Sequence, residues 1–315
     1  MIQTLQTKIE TKSLSVVDYG KSSILKTLAY FDIFNYPLIK EEIQQFLETS
    51  IPQNKLETLL QQLVSDRIIF LHNSFYSLQN NPLLGHRRKQ GNKRAQHLLL
   101  KAAKIGRFLY GFPFVRAVGI SGSLSKNFAD EKADIDFFII TKKNRLWMAR
   151  TLMHLFKKIT FLFGKQHFYC MNYYIDEECL LIKDKNIFTA TEIKTLLPVN
   201  GSQTLLDFLE ANSWADDWLP CCDARQQKKK DPKTMWLKKI IEWIAENKLS
   251  NRLDNYLMQL TSLRWKRKEE KGLRNKKGLT MGLITGKHFA FSNPGAFQEK
   301  VLSIYEEKLT VLKLS

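Results

Sequence analysis

The chain has 315 residues, 44% of them apolar and 11% aromatic, which is long enough for two or three domains and excludes a disordered chain. Forty-nine Lys and Arg stand against 31 Asp and Glu, a net charge of +18 and a pI of about 9.6. Such an excess invites a polyanionic partner. Cys170, Cys179, Cys221 and Cys222 show no C-x-x-C spacing, so neither a zinc site nor a disulfide framework follows, and a reducing compartment fits. Met1 to Gly20 has no apolar core of signal-peptide length. The most apolar stretch, Leu146 to Phe163, is interrupted by Arg150, His154, Lys157 and Lys158, too often for a transmembrane helix. A cytoplasmic protein with no membrane partner is expected.

Residues 1–20 read as a loosely held tail. Residues 21–85 read as a small domain. Ser22 is placed to cap a helix with Ile24, Leu28 and Phe31 on one face, and Pro37 marks a turn. Ile39, Ile43, Phe46 and Leu47 suggest a second helix. Pro52 precedes a third, whose Leu56, Leu59, Leu60 and Leu63 fall on one stripe. Ile68 to Leu71, a turn at Asn73-Ser74, and Phe75 to Leu78 predict a hairpin. Three helices and a hairpin resemble a winged helix. Residues 21–80 nevertheless carry five Lys or Arg against six Asp or Glu. Protein–DNA affinity leans on neutralised phosphates, so duplex DNA is not expected as this domain's partner. A docking or dimerisation role is favoured.

His86 to Tyr110 predicts a long basic helix, with eight Lys or Arg and no acid between residues 86 and 107. Leu98, Leu99, Ala102, Ala103, Phe108 and Leu109 should pack inward. Arg87, Arg88, Lys89, Lys93 and Arg94 form either a solvated face or a cradle for nucleotide phosphates or RNA. A core of strands Val115 to Ile120, Ile135 to Thr141 and Phe168 to Ile175 follows, with an amphipathic helix Leu146 to Phe163 and a further helix Ile187 to Leu197. This order suits an α+β mixed sheet with helices on one side. After Pro220 the composition turns basic, with 21 Lys or Arg against ten acids in residues 221–315. Apolar spacings at Trp236, Ile240, Trp243 and Ile244, at Leu253, Tyr256, Leu257 and Leu260, and at Phe297, Val301, Ile304 and Tyr305 predict a helical C-terminal region.

The chemistry concentrates between residues 118 and 141. Gly122-Ser123 is followed by ten residues and then by Asp134-Ile135-Asp136-Phe137. Two carboxylates one residue apart on a strand point the same way and can hold a hard cation such as magnesium together with phosphate oxygens. The Gly-Ser turn offers backbone N–H groups and a hydroxyl to a phosphate.

This segment resembles the nucleotidyltransferase superfamily, the fold shared by DNA polymerase beta, poly(A) polymerases and aminoglycoside nucleotidyltransferases. Its signature is an apolar residue, Gly-[Gly/Ser], a spacer of this length, then Asp-apolar-[Asp/Glu]-apolar. Ser121 stands where an apolar residue is usual. Ile187 to Ile193, Leu197 to Val199, Phe208 to Trp214 and Leu219-Pro220 extend the likeness to a bacterial subfamily of uncharacterised nucleotidyltransferase-domain proteins. The resemblance implies a nucleotidyltransferase domain over residues 86–220. In it, Asp134 and Asp136 are the magnesium- or manganese-binding pair, and Gly122 and Ser123 hold the triphosphate. Lys126 either assists them or is an ordinary surface lysine. Most members add a third carboxylate on a later strand. In Phe168 to Asp176, alternation puts Asn172, Tyr174 and Asp176 on one face. Asn172 holds the mid-strand place, while Asp176 is the acid available as a third catalytic residue.

The expected activity is transfer of a nucleoside monophosphate from a nucleoside triphosphate to an acceptor, which the basic charge allows to be RNA. The alternative is a nucleotide- or RNA-binding module that has lost turnover. A DNA-binding regulator rests only on the winged-helix pattern and the charge.

Overall fold

The computed structural model describes residues 19–131, 133–161, 170–223, 231, 236–274 and 278–314. The first elements follow the predicted order. Helix α1 (19–32) is followed by α2 (Lys40–Gln45) and α3 (Gln53–Ser65), and β1 (Phe70–His72) and β2 (Phe75–Ser77) form a hairpin. Leu56, Leu59, Leu60 and Leu63 of α3 are all buried, as their spacing requires. Asn73 and Ser74, the two hairpin-loop residues, both have positive φ (50° and 70°). That is the backbone of a tight turn matched to strand twist. Leu38 forms an isolated antiparallel bridge to Tyr76, pairing a further segment with β2.

Helix α4 (Leu83–Tyr110) then runs 28 residues into the main sheet. Its buried stripe is Leu84, Arg88, Gly91, Ala95, Ala102, Gly106 and Leu109. Phe108, expected inside, is exposed. Small residues replace it because α4 lies against neighbouring chain: a Cβ on Gly91 would sit 2.2 Å from the Phe128 ring, and one on Gly106 would sit 2.8 Å from Val199.

The sheet contains β3 (Val115–Ile120), β4 (Asp136–Thr141), β5 (Cys170–Asp176), β6 (Leu197–Asn200), β7 (Leu283–Thr285) and β8 (Phe289–Ser292), in the order β6-β3-β4-β5-β8-β7. Among the described pairings only β4–β5 is parallel, and helix α6 (Leu146–Phe161) lies in the connection between them, as a parallel crossover requires. The fold is thus α+β with a mixed sheet.

Three expectations change. Helices cover both faces of the sheet rather than one. Val118, Ile120, Phe137, Ile139 and Tyr174 pack with α4, α6 and the middle of α11 (Lys248–Glu270). Ala117, Phe138, Ile140 and Ile175 pack with α7 (Ile187–Lys194), α8 (Ser202–Ala211) and α9 (Ala215–Trp218), and with the N-terminal helices. Strand alternation in β4 produces this, because its residues are apolar on both sides. The region after residue 220 is not only helical. Between α10 (Trp236–Ile244) and α11 on one side and α12 (Phe297–Val311) on the other it sends β7 and β8 into the sheet beside β5, so no core boundary falls at Pro220. Finally, the helix expected to reach Leu197 stops at Lys194, and residues 197–200 form edge strand β6. Pro198 is tolerated there because β6 pairs on one side only.

Candidate nucleotide site

The candidate site lies where β3 ends and β4 begins. Antiparallel register sets Ile120 opposite Phe137, so the turn after β3 and the acid at the start of β4 arrive together. The Ser121 N–H donates to the Asp136 carbonyl at 3.0 Å. Gly122 opens the short helix α5 (Gly122–Ser125) with φ +70°. A Cβ there would lie 2.8 Å from Asp136 Oδ2, so the missing side chain and the left-handed backbone together admit the carboxylate to the turn. Ser123 is exposed at its crest. Ser125 Oγ donates to the Gly122 carbonyl at 2.8 Å.

Asp134 precedes the strand, and Ile135, between the two acids, is fully buried in the core. Asp134 and Asp136 are half-buried. Cys170 is the register partner of Asp136. Burial pushes the Cys170 thiol up to about 11, with Lys157 opposing and the charges of Asp136 and Asp134 adding to the rise. Cys170 is therefore a neutral thiol, and it donates to Asn172 Oδ1 at 3.1 Å.

Asn172 stands beside the pair, and its Nδ2 donates to Asp136 Oδ1. The register of β4 with β5 slips here: Phe137 faces Met171 and Phe138 faces Tyr173. Asn172 is the extra residue of a bulge. Met171 and Tyr174 pack into one layer, while Tyr173 and Ile175 pack into the other, so simple alternation fails and Asn172 does not share a face with Asp176. Bulges of this kind re-aim a side chain.

Asp176, expected as a third catalytic acid, is far away. It is the register partner of Thr141, whereas Asp136 partners Cys170. Six residues of strand, roughly 20 Å at the usual rise, separate Asp176 from the site end of β5. Its carboxylate is fully buried and has other work. It accepts from the N–H groups of Asn144 at 2.9 Å and Glu178 at 3.0 Å, and faces His288 Nδ1 at 2.9 Å. Asp176 holds the turn beyond β4 and touches no member of the candidate site.

A carboxylate that the sequence reading did not single out arrives instead from α7. Glu192 Oε2 accepts from the Gly122 N–H at 3.1 Å, and Glu192 Oε1 accepts from Lys126 Nζ at 2.8 Å. Lys126 also donates to the Gly122 carbonyl at 3.1 Å. Lys126 thus folds back over its own turn. Glu192 lies 70 residues from Gly122 along the chain, and no local spacing ties the two together.

Of the basic cluster at the start of α4 only Arg88 is buried. It pairs with Glu42, donates to the Pro37 carbonyl at 2.7 Å and lies 3.7 Å over the Tyr36 ring. Arg87 pairs with Asp130 at 2.9 Å and Arg94 with Glu131 at 3.4 Å. Lys89 and Lys93 stay on the surface. The arginines brace the loop between α5 and β4. The Tyr36 hydroxyl donates to the Lys126 carbonyl, and the Ala129 N–H donates to the Gly91 carbonyl.

Among the described residues no group of three His, Cys, Asp or Glu side chains is arranged to hold a metal. The donor set suits a hard cation only if phosphate oxygens complete it: two carboxylates, with a glycine turn that a Cβ would fill. The chain matches no protein-family model, no curated protein and no solved structure. No described helix is long and apolar enough to cross a membrane.

Proposed function

We propose that this chain is a metal-dependent nucleotidyltransferase, passing a nucleoside monophosphate from a nucleoside triphosphate to an acceptor that the basic charge allows to be RNA. The observation that carries this reading is Gly122. Its positive φ, and the 2.8 Å from a Cβ there to Asp136 Oδ2, let the Asp136 carboxylate close against the Gly-Ser turn, so that acid and turn form one cluster that a metal-bound triphosphate would address. Asp134 and Asp136 would hold magnesium or manganese. When bound, such an ion neutralises charge on a triphosphate and on its leaving pyrophosphate. Ser123, at the exposed crest, would donate its hydroxyl to a phosphate oxygen. Lys126 would supply positive charge once released from Glu192. The Asn172 amide orients Asp136 without adding charge.

A second reading, a nucleotide- or RNA-binding module without turnover, is favoured by Asn172, because no carboxylate of β5 is left to activate a nucleophile. In the first reading the acceptor must lose its proton to water or to a group of its own. Incubation with labelled nucleoside triphosphates, magnesium and a cell lysate separates the two. Label transferred to an acceptor and lost in the Asp134→Asn/Asp136→Asn variant is expected. Metal-dependent binding with no transfer leaves the binding module. Absence of both refutes a nucleotide site.

A further inference from the structure

Helix α10 is mounted with its polar side toward the protein and its apolar side toward solvent. Its nine residues, Trp-Leu-Lys-Lys-Ile-Ile-Glu-Trp-Ile, place six large apolar side chains on one face at 100° per residue. Trp236 is 71% exposed, Trp243 78% and Ile244 61%. The opposite face makes the anchor. Lys238 is buried and donates to the carbonyls of Tyr110 at 2.8 Å and Val115 at 2.7 Å. Glu242 accepts from the Phe114 N–H and pairs with Arg116 at 2.8 Å. The orientation is thus held by buried polar contacts. The apolar surface continues into α11, where Leu249 and Leu253, one turn apart, are exposed.

The charge around this face chooses its partner. Lys239, Lys248 and Arg252 are exposed on α10 and the start of α11, against the acids Glu242 and Glu246 of the same stretch and Asp231 before it. Those acids are engaged: Glu242 with Arg116, Glu246 with Lys142, and Asp231 with the Gly201 N–H. A second copy docked on this face would bring like charges together. A short helix with an apolar face ending in tryptophans and cationic flanks matches an anionic bilayer surface. We infer that α10, with the start of α11, is a peripheral membrane-docking face for anionic phospholipid. It needs no spanning helix, so it is compatible with the absence of one among the described residues. The anchor grips the start of β3, whereas Gly122 follows its end, so docking leaves the candidate nucleotide site away from the lipid.

The full chain should sediment with vesicles of phosphatidylcholine containing phosphatidylserine and not with pure phosphatidylcholine, and added salt should release it. Trp236→Ser with Trp243→Ser should weaken binding by about a hundredfold or more, since two large apolar side chains no longer enter the interface. Ile244→Glu, a single exposed change, should act in the same direction. Failure of the wild type to bind phosphatidylserine vesicles overturns the inference, as does binding that survives these substitutions. A wild-type dimer that both variants convert to monomer, with no vesicle binding, assigns the face to a second copy.

Discussion

Asp136 meets the Gly122 turn on one side and the Asn172 amide on the other, and each contact makes its own prediction. Asp134→Asn with Asp136→Asn should remove the metal dependence of triphosphate binding while the circular dichroism spectrum is retained. Equal affinity with and without magnesium, in wild type and variant alike, would count against the metal pair. Glu192 holds both the Gly122 amide and the Lys126 ammonium, the groups assigned to phosphate. A triphosphate entering the turn competes with that carboxylate. Glu192→Gln, which weakens a charge-assisted pair, should therefore tighten triphosphate binding by about tenfold, the equivalent of roughly 1.4 kcal/mol. Titration calorimetry reads this directly, and weaker binding by the variant would instead make Glu192 part of the ligand-holding set.

Helix α4 packs on the α5–β4 loop and on β6 through its glycines, and α11 holds the first turn of α6. Helix interiors ordinarily gain from replacing glycine by alanine, but at Gly91 the new methyl would collide with Phe128, a buried residue of the α5–β4 loop. Gly91→Ala should lower stability by about 1–3 kcal/mol, the range for overpacking, as measured by urea denaturation. Asp254 of α11 accepts from the Met148 N–H at 2.8 Å, in the first turn of α6. Burial pushes its carboxyl up to about 6, against the opposing Met148 and Trp147 N–H groups and the charge of Arg145. The folded value lies above the ordinary 3.8, so the neutral form is the one the fold favours. Its contribution is complete below about pH 4 and is lost as pH rises through about 6. Asp254→Asn keeps the acceptor and carries no charge. It should raise stability at pH 7 by about 1–3 kcal/mol, and the gain should vanish near pH 4. A gain that persists in acid would mean that the effect is packing rather than charge.

In the whole molecule, the N-terminal helices and hairpin brace the loop between α5 and β4. Their core is continuous with one face of the sheet, and they are tied to it by Arg88 with Glu42, Lys308 with Asp32 at 2.6 Å, and Tyr36 with the Lys126 carbonyl. Arg88→Ala leaves a carboxylate without its buried partner, so it should cost roughly 3–5 kcal/mol and loosen hydrogen-exchange protection of residues 122–130 as well as of α2. Protection lost in α2 alone would show that the brace does not reach the site. The net charge of −1 over residues 21–80 also predicts that Lys55→Glu on α3 leaves any duplex-DNA affinity of the full chain unchanged in a gel shift.

Sequence by itself determined the elements whose evidence is local. The α3 stripe, the Asn73-Ser74 hairpin turn and the two strands around Gly122 and Asp136 rest on periodicity and turn chemistry, which act over a few residues, whereas the meeting of Gly122 with Asp136 was expected only from the motif's resemblance. Only the tertiary structure decided the rest. A one-residue bulge at Asn172 depends on how β5 registers against β4, and it undid the alternation that had grouped Asn172 with Asp176. Glu192 reaches the turn because α7 packs on one sheet face, a placement set by contacts between chain segments far apart. The periodicity of α10 correctly announced an amphipathic helix, but periodicity says only that two faces differ. Which face turns inward was settled by the buried partners of Lys238 and Glu242 at the start of β3.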